Sequence, residues 1–422
     1  MLIRNATFPD GDVRDVRIDG SQIAEVGQSL SEDQPAGAID ATGLRILPGA
    51  IDVHVHFREP GFSHKETWES GTASAAAGGV TTVVDQPNTD PPTISGEAFD
   101  SKATLAAAAH VDFGINGGVT PEWDPGSLFE RPLFALGEIF LADSTGDLGI
   151  DQDLFEEAVE RANEAELPVT VHAEDASLFD ASVQDRTDAT AWSEYRPPEA
   201  ELTAVETAIA VADRTETTLH IAHTSTPEAV DAATDAGLTC EVSPHHLFLS
   251  TTDLDDLGTL GRMNPPLRDP DRQQGLWDRL IDGTIDMVAT DHAPHTLAEK
   301  DASIWDAPSG VPGVETMLPL LAAAAERGEL SYERIAEVTA RRPAAVFNLD
   351  QKGRIEAGAD ADLTLLDPEP QPIDSASLHT ACEWTPFESW DGVFPIFTMV
   401  RGRIVYEDGR LGDPIGRNVR TA

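Results

Sequence analysis

The chain has 422 residues and 40% apolar content, enough for one large core or a large domain with a smaller one beside it. Its 75 acidic residues against 28 basic ones give a formal charge of −47, which excludes a nucleic-acid or anionic-lipid binder of the ordinary electrostatic kind. Two cysteines make no disulfide framework, no basic-flanked apolar N-terminal run reads as a signal peptide, and no stretch is apolar enough to span a membrane, so the expectation is a cytoplasmic chain.

Dense acidity also marks disorder, but here apolar segments alternate with helical stretches throughout. A folded protein adapted to high salt, where screening makes surface charge tolerable, fits better. Runs such as "TTDLDDLG" and "EEAVERANEAE" are then solvated faces.

In chain order, residues 1–48 predict short strands with Gly and Asp turns: "MLIRNATF", "DVRIDGSQIAEVG" and "AIDATGLRILPG". Residues 49–347 change texture. "ILPGAIDVHVHFREPG" opens them as an apolar strand with His54 and His56 on one face. The helical "TWESGTASAAAGG" leads to the strand "GVTTVVDQP", followed by "VDFGINGGV", "LFALGEIFLA", "LPVTVHAED", "TTLHIAHTS", "GLTCEVSPHH" and "IDMVATDHAPH". Helix-like segments such as "DQDLFEEAVERANEAE" and "TAVETAIAVADRT" separate most of them. This alternation predicts a (β/α)8 TIM barrel, with polar residues after each strand forming its C-terminal rim. A doubly wound sheet is the runner-up, but no Gly-x-Gly-x-x-Gly motif supports it. Residues 348–422 return to short strands, "DADLTLLDP" and "FTMVRGRIVYEDGR", the latter with an Asp-Gly turn. Both termini together predict one small β-sandwich domain.

His54, His56, Glu138, His172, His223 and Asp291 end the predicted barrel strands. Four imidazoles and two carboxylates meeting in a barrel mouth suit two zinc-like ions. A lone histidine there is as often a plain core or surface residue; the joint pattern is not.

The segment "DVHVHFREPG" resembles the cyclic amidohydrolases, and within them the dihydroorotases, of a halophilic archaeal type. "KETWESGTASAAAGGVTTVVDQPNT", "HIAHTS", "EVSPHH", "GRMNPPLR", "TDHAPH", "SGVPGVET" and "GRIEAGADADLTLLD" extend the resemblance over nearly the whole chain. It implies two Zn2+ per chain and the reversible cyclisation of N-carbamoyl-L-aspartate to L-dihydroorotate, the third step of pyrimidine synthesis. His54 and His56 would hold the more buried ion with Glu138 and Asp291, and His172 and His223 the other with Glu138 shared. Asp291 would be the catalytic acid and base.

Arg58 narrows the resemblance, because an allantoinase-like sequence usually has asparagine there. Its planar fork suits the carboxylate that dihydroorotate carries and that hydantoin and allantoin lack. Asn88 and His295 match residues that help hold that carboxylate, Asn264 matches one contacting the ring amide, and Ser309 and Gly310 fall in a matched substrate motif. Many relatives bridge their ions with a carbamylated lysine, yet no lysine lies between Lys102 and Lys300. Glu138 stands at the matching place, with Asp143 as its competitor. His245, His246, Glu174 and Asp175 are left to supporting or structural roles. Competing expectations are a hydantoinase- or allantoinase-like hydrolase and a metal-free structural relative, the latter disfavoured by a complete ligand set. The sequence is compatible with a homodimer.

The charge imbalance carries a prediction of its own. The Debye length is about 30 Å at 0.01 M salt and about 3 Å at 1 M, so self-repulsion goes unscreened only in dilute salt. Melting temperature and dihydroorotate turnover should both fall on dilution from molar KCl, measured across about 0.05 to 4 M. Values that stay flat or drop as salt rises would show that the acidic surface is no adaptation to salt.

Overall fold

In the computed structural model, which describes residues 1–31, 38–141 and 148–421, eight short strands follow one another along the chain. They are Ala50–Val55, Val80–Asp85, Asp112–Ile115, Leu136–Leu141, Val169–Ala173, Leu219–Ile221, Thr239–Val242 and Met287–Val288. Most are runs of Val, Ile, Leu and Phe buried on both faces, as parallel strands covered by helices must be. Neighbours pair in parallel along two arcs. Two further parallel bridges close the ring: Gly117 with Leu136 joins the third strand to the fourth, and Val55 with His292 joins the first to the eighth. The expected (β/α)8 barrel is therefore present.

Its helices begin where the sequence supplies a cap. Thr67 accepts from Ser70 N before Trp68–Ala77, and Asp151 accepts from Leu154 N before Gln152–Glu164. Thr226 and Asp269, each followed by proline, open Pro227–Asp235 and Pro270–Asp282. The long helix Pro198–Thr215 buries Ala200, Ala204, Val205, Ala208, Val211 and Ala212, a small-residue face that lets it lie close on the strands. No helix among the described residues is long and apolar enough to cross a membrane.

Both termini build a separate nine-stranded sheet. Its order runs Arg410–Leu411, Arg403–Glu407, Pro395–Val400, Leu363–Leu366, Arg45–Pro48, Leu2–Thr7, Val13–Asp19, Gln22–Gly27, with Ala38–Asp40 beside Leu2–Thr7. The two halves of the chain meet where Arg45–Pro48 pairs antiparallel with Leu363–Leu366. Ile3, Val16, Ile18, Ile23, Ile46, Leu363, Leu365, Phe397 and Met399 form a core of its own. The Asp-Gly turn places Asp408 and Gly409 at φ 46° and 77°, the twist a tight hairpin needs. Gly49 passes the chain from this sheet into the first barrel strand; a Cβ there would lie 2.2 Å from Thr81 Cγ2.

A buried ion cluster fastens the sheet to the barrel. Lys352 Nζ donates to Asp112 Oδ2 at 2.8 Å, at the start of the third barrel strand, and to Asp362 Oδ2 at 2.6 Å, just before Leu363–Leu366. Arg401 pairs with the other oxygen of Asp112. Removing one member of such a cluster strands buried charge, at about 3–5 kcal/mol. Lys352→Met should lose about that much in denaturant titrations at molar KCl; a loss under about 1 kcal/mol would mean that water already screens the cluster.

Candidate metal centre and its cleft

The first barrel strand alternates, so Asp52, His54 and His56 share one face. Asp52 is buried and accepts from Thr290 N at 3.0 Å, from the Thr290 hydroxyl and from His54 N, tying the first strand to the residues after the eighth. Burial pushes its carboxyl up to about 6 against those hydrogen bonds. His54 and His56 follow it toward the rim.

Each imidazole is turned by a partner behind it. His54 Nδ1 lies 2.6 Å from Glu241 Oε1, which fixes the ring proton there and leaves the Nε2 lone pair inward. That Nε2 is buried without a hydrogen-bond partner, 3.3 Å from Glu138 Oε2 and 3.6 Å from Asp291 Oδ1. His56 Nδ1 donates to Asn88 Oδ1 at 2.7 Å, and its Nε2 faces Asp291 Oδ1 at 2.9 Å. His172 Nε2 donates to Glu174 Oε2 at 3.2 Å, and Arg196 in turn pairs with Glu174. His172 Nδ1 then meets Glu138 Oε1 at 3.0 Å, and His223 Nε2 meets the same oxygen at 2.6 Å.

Lone pairs facing carboxylate oxygens at such distances repel unless a cation lies between them. Without one, protons must serve. Burial alone would lower His54 and His172, yet Glu138 and its fellow carboxylates drive His54 well above the imidazole range and His172 up to about 10. Ligand atoms of His54, His56 and Asp291 lie within 4.8 Å of one another, as do those of His54, Glu138 and His223. This donor set fits divalent metal ions. All six expected ligands are brought together; Asp143 lies outside the described residues.

Glu138 reaches the cluster through an irregularity. Val169 pairs with Leu136 but Val171 pairs with Ile139, so Gly137 and Glu138 together oppose Thr170 alone. Such a bulge re-aims a side chain. Gly137 is required there: its φ is 142°, and a Cβ would lie 2.2 Å from Thr170 Oγ1. Arg58, His223 and Asp291 have φ of 64°, 32° and 46°, a region uncommon for residues with side chains.

A cleft of about 350 Å³ opens beside the cluster, with Arg58, Asn88, Asn264, Ser309, Gly310 and Asp291 in its lining. Arg58 is buried and donates Nε–H to Pro294 O at 3.2 Å. Among the described residues it has no carboxylate within ion-pairing distance, and burial lowers its guanidinium to about 10. His295 stands behind Arg58 rather than in the cleft lining. Lys65 Nζ donates to its Nδ1 at 3.1 Å, and its Nε2–H donates to Ser309 O at 2.9 Å. Burial, with Arg58, Lys65 and Lys300 nearby, holds it well below the usual imidazole range, hence neutral. Trp192 Nε1 donates to Asn264 Oδ1 at 3.1 Å. Lys300 Nζ donates to Arg262 O at 3.0 Å and Pro308 O at 2.9 Å, joining the loop that carries Asn264 to the one that carries Ser309 and Gly310.

Sequence reading gave no role to Glu241, Asp52 or Arg196. Glu241 holds His54 with one oxygen and His220 with the other, at 2.6 Å and 3.0 Å. Its signal was an acid between Cys240 and Val242 in a short predicted strand. His246 Nε2 donates to Pro265 O at 3.0 Å.

The sequence pattern of the Amidohydrolase family matches residues 45–405. A dihydroorotase of Halobacterium salinarum is 62% identical over 99% of both chains. A dihydroorotase of Methanosarcina acetivorans is 42% identical, covering 96% of this chain and 90% of that one. Among solved structures, the L-hydantoinase (dihydropyrimidinase) of Arthrobacter aurescens superposes with a TM-score of 0.94 over 98% of both chains, at 27% identity.

Burial would raise the Glu241 carboxyl, but His54 and His220 hold it down at about 2. Glu241→Leu frees the proton position of His54, and metal affinity should drop about 10–100-fold, as when other outer partners of metal-bound histidines are lost. The measurement is zinc retained after dialysis against graded chelator. Unchanged retention would mean that strand packing alone orients His54.

Proposed function

Because the chain belongs to the amidohydrolase family, we propose that its cleft is the active site of a dihydroorotase. The enzyme closes N-carbamoyl-L-aspartate to L-dihydroorotate and water, and reopens the ring in reverse, as a step of pyrimidine synthesis in the cytoplasm. The observation that carries this reading is Arg58, a buried guanidinium in the cleft with no carboxylate in ion-pairing distance among the described residues, in a chain of formal charge −47. A buried unpaired cation is costly unless a ligand supplies the anion, and dihydroorotate brings a carboxylate.

We assign two zinc ions per chain, one to His54, His56, Glu138 and Asp291, the other to His172 and His223 with Glu138 shared. When bound, such ions acidify a water and polarise a carbonyl. The protein's own groups do the rest. Arg58 takes the substrate carboxylate through its fork. Asn88 has its oxygen engaged by His56 Nδ1–H, so its Nδ2 faces the same carboxylate as a donor. His295 holds the Ser309 carbonyl in place through its Nε2–H. Asn264 and the backbone at Ser309 and Gly310 hold the ring amides. In the hydrolytic direction Asp291 takes the proton of the attacking water and passes it to the amide nitrogen as the ring C–N bond breaks. In synthesis Asp291 takes the proton of the carbamoyl nitrogen as its C–N bond to the carboxyl carbon forms, and gives that proton to the departing hydroxyl, which leaves as water.

Arg58→Met should raise KM for L-dihydroorotate and lower kcat/KM by an amount equivalent to about 2–5 kcal/mol, with metal content intact. An unchanged kcat/KM would place the carboxylate elsewhere. A panel including hydantoin and allantoin completes the test: turnover of either without dihydroorotate sinks the assignment in favour of a hydantoinase-like enzyme.

A further inference from the structure

The motif "DQPNT" carries, besides Asn88, a glutamine with no place in the chemistry above. Gln86 is 1% exposed and lies at the end of the second barrel strand. Its Oε1 accepts from Glu138 N at 2.8 Å and from Asn116 Nδ2 at 3.0 Å. Its Nε2 donates to Val53 O at 3.1 Å, and its backbone N donates to Val55 O at 2.9 Å. One residue thus grips the strand on either side of His54 and, with the same side chain, the backbone of Glu138.

The Glu138 amide needs such a partner. In a regular strand its N–H would fall in the ladder, but the bulge at Gly137 and Glu138 takes it out. A buried N–H without an acceptor is costly, and a bulge without an anchor has alternative registers open to it. Gln86 is itself fixed from below. Lys102 Nζ, fully buried, donates to Gln86 O and to Asp85 Oδ2, both at 2.6 Å, and Asp85 Oδ1 accepts from Phe57 N at 2.7 Å. Phe57 lies between His56 and Arg58. The amides and carbonyls that place His54, His56, Arg58 and Glu138 therefore converge on one buried dipeptide.

We propose that Gln86 is a positioning residue of the metal centre, setting the height and register of Glu138 so that its carboxylate lies between the two pairs of histidines. This rests on the reading of Glu138 as the shared ligand. Gln86 touches neither substrate nor ligand atoms; it acts through the Glu138 backbone.

The test compares Gln86→Met, Asn116→Ala and Glu138→Gln with wild type in molar KCl. Each is loaded with zinc, challenged with a chromophoric chelator, and melted in its metal-free and zinc-loaded forms. Asn116→Ala removes the other donor to Gln86 Oε1 and serves as the structural control. Gln86→Met should weaken zinc binding at least about tenfold, shrink the zinc-induced rise in melting temperature and lower kcat more than it raises KM. Asn116→Ala should lower the metal-free melting temperature and leave zinc affinity alone. Should Gln86→Met not fold, Gln86→Glu, which keeps an acceptor oxygen for the Glu138 amide, must hold zinc within about threefold of wild type; a folded Gln86→Glu that loses zinc as Glu138→Gln does overturns the proposal. So does a Gln86→Met that keeps wild-type zinc affinity while Glu138→Gln loses it, or equal loss in Gln86→Met and Asn116→Ala. If Glu138→Gln itself retains both ions, the shared-ligand reading falls, and this proposal with it.

Discussion

Glu138 holds its carboxylate out of water, 2.6 Å from His223 Nε2 and 3.0 Å from His172 Nδ1, and Asp291, also buried, faces the same His54 Nε2 as Glu138 does. Burying a carboxylate costs several kcal/mol unless opposite charge meets it. The cluster therefore demands cations at its centre, and the surrounding structure is arranged around that demand. Glu241 and Glu174 stand behind His54 and His172 and fix their protons outward, so lone pairs and carboxylates face one another across the site. Arg196 neutralises Glu174 in turn. The strained backbone at His223 and Asp291 is sustained by the closed barrel around them.

Much of this was legible in the sequence, for identifiable reasons. His54 and His56 differ by two positions, so a strand presents both to one face. His172, His223 and Asp291 each close an apolar run, and in a parallel barrel the ends of those runs converge. Glu138 stood out because the lysines that could have replaced it are missing. The sheet domain drawn from both termini followed from their shared texture of short strands and Gly-Asp turns. What stayed hidden depends on pairs distant along the chain. Nothing near Glu241 announces that it will face His54, 187 residues earlier. Nothing in "DQPNT" tells that Gln86 will reach Glu138, because that contact exists only through a bulge invisible in the pattern of apolar residues. His295 was expected to help hold a substrate carboxylate; that it stands behind Arg58, outside the cleft lining, needed three dimensions.

The charges inside and outside the molecule follow opposite rules. The surface is overwhelmingly acidic, while the positive groups that matter are gathered inward. Arg58 lines the cleft, Lys300 braces its two loops, Lys102 underpins the Asp85–Gln86 corner, and Lys352 joins the domains. An acidic exterior repels an anionic substrate at long range, so the Arg58 guanidinium in the cleft is what offers such a substrate a counter-charge once screening has removed the outer field.

The placement of the lysines has a practical corollary. The chain has four, and Lys102, Lys300 and Lys352 are at most 8% exposed. The fourth, Lys65, is occupied by Glu299 and His295. The lysines of the folded chain therefore offer almost no free exposed amine. Reagents that acylate amines should modify the folded protein sparingly, so amine coupling to a sensor chip or a dye ester would label unfolded molecules in preference to native ones. Tryptic cleavage of the native chain would likewise be confined to exposed arginines.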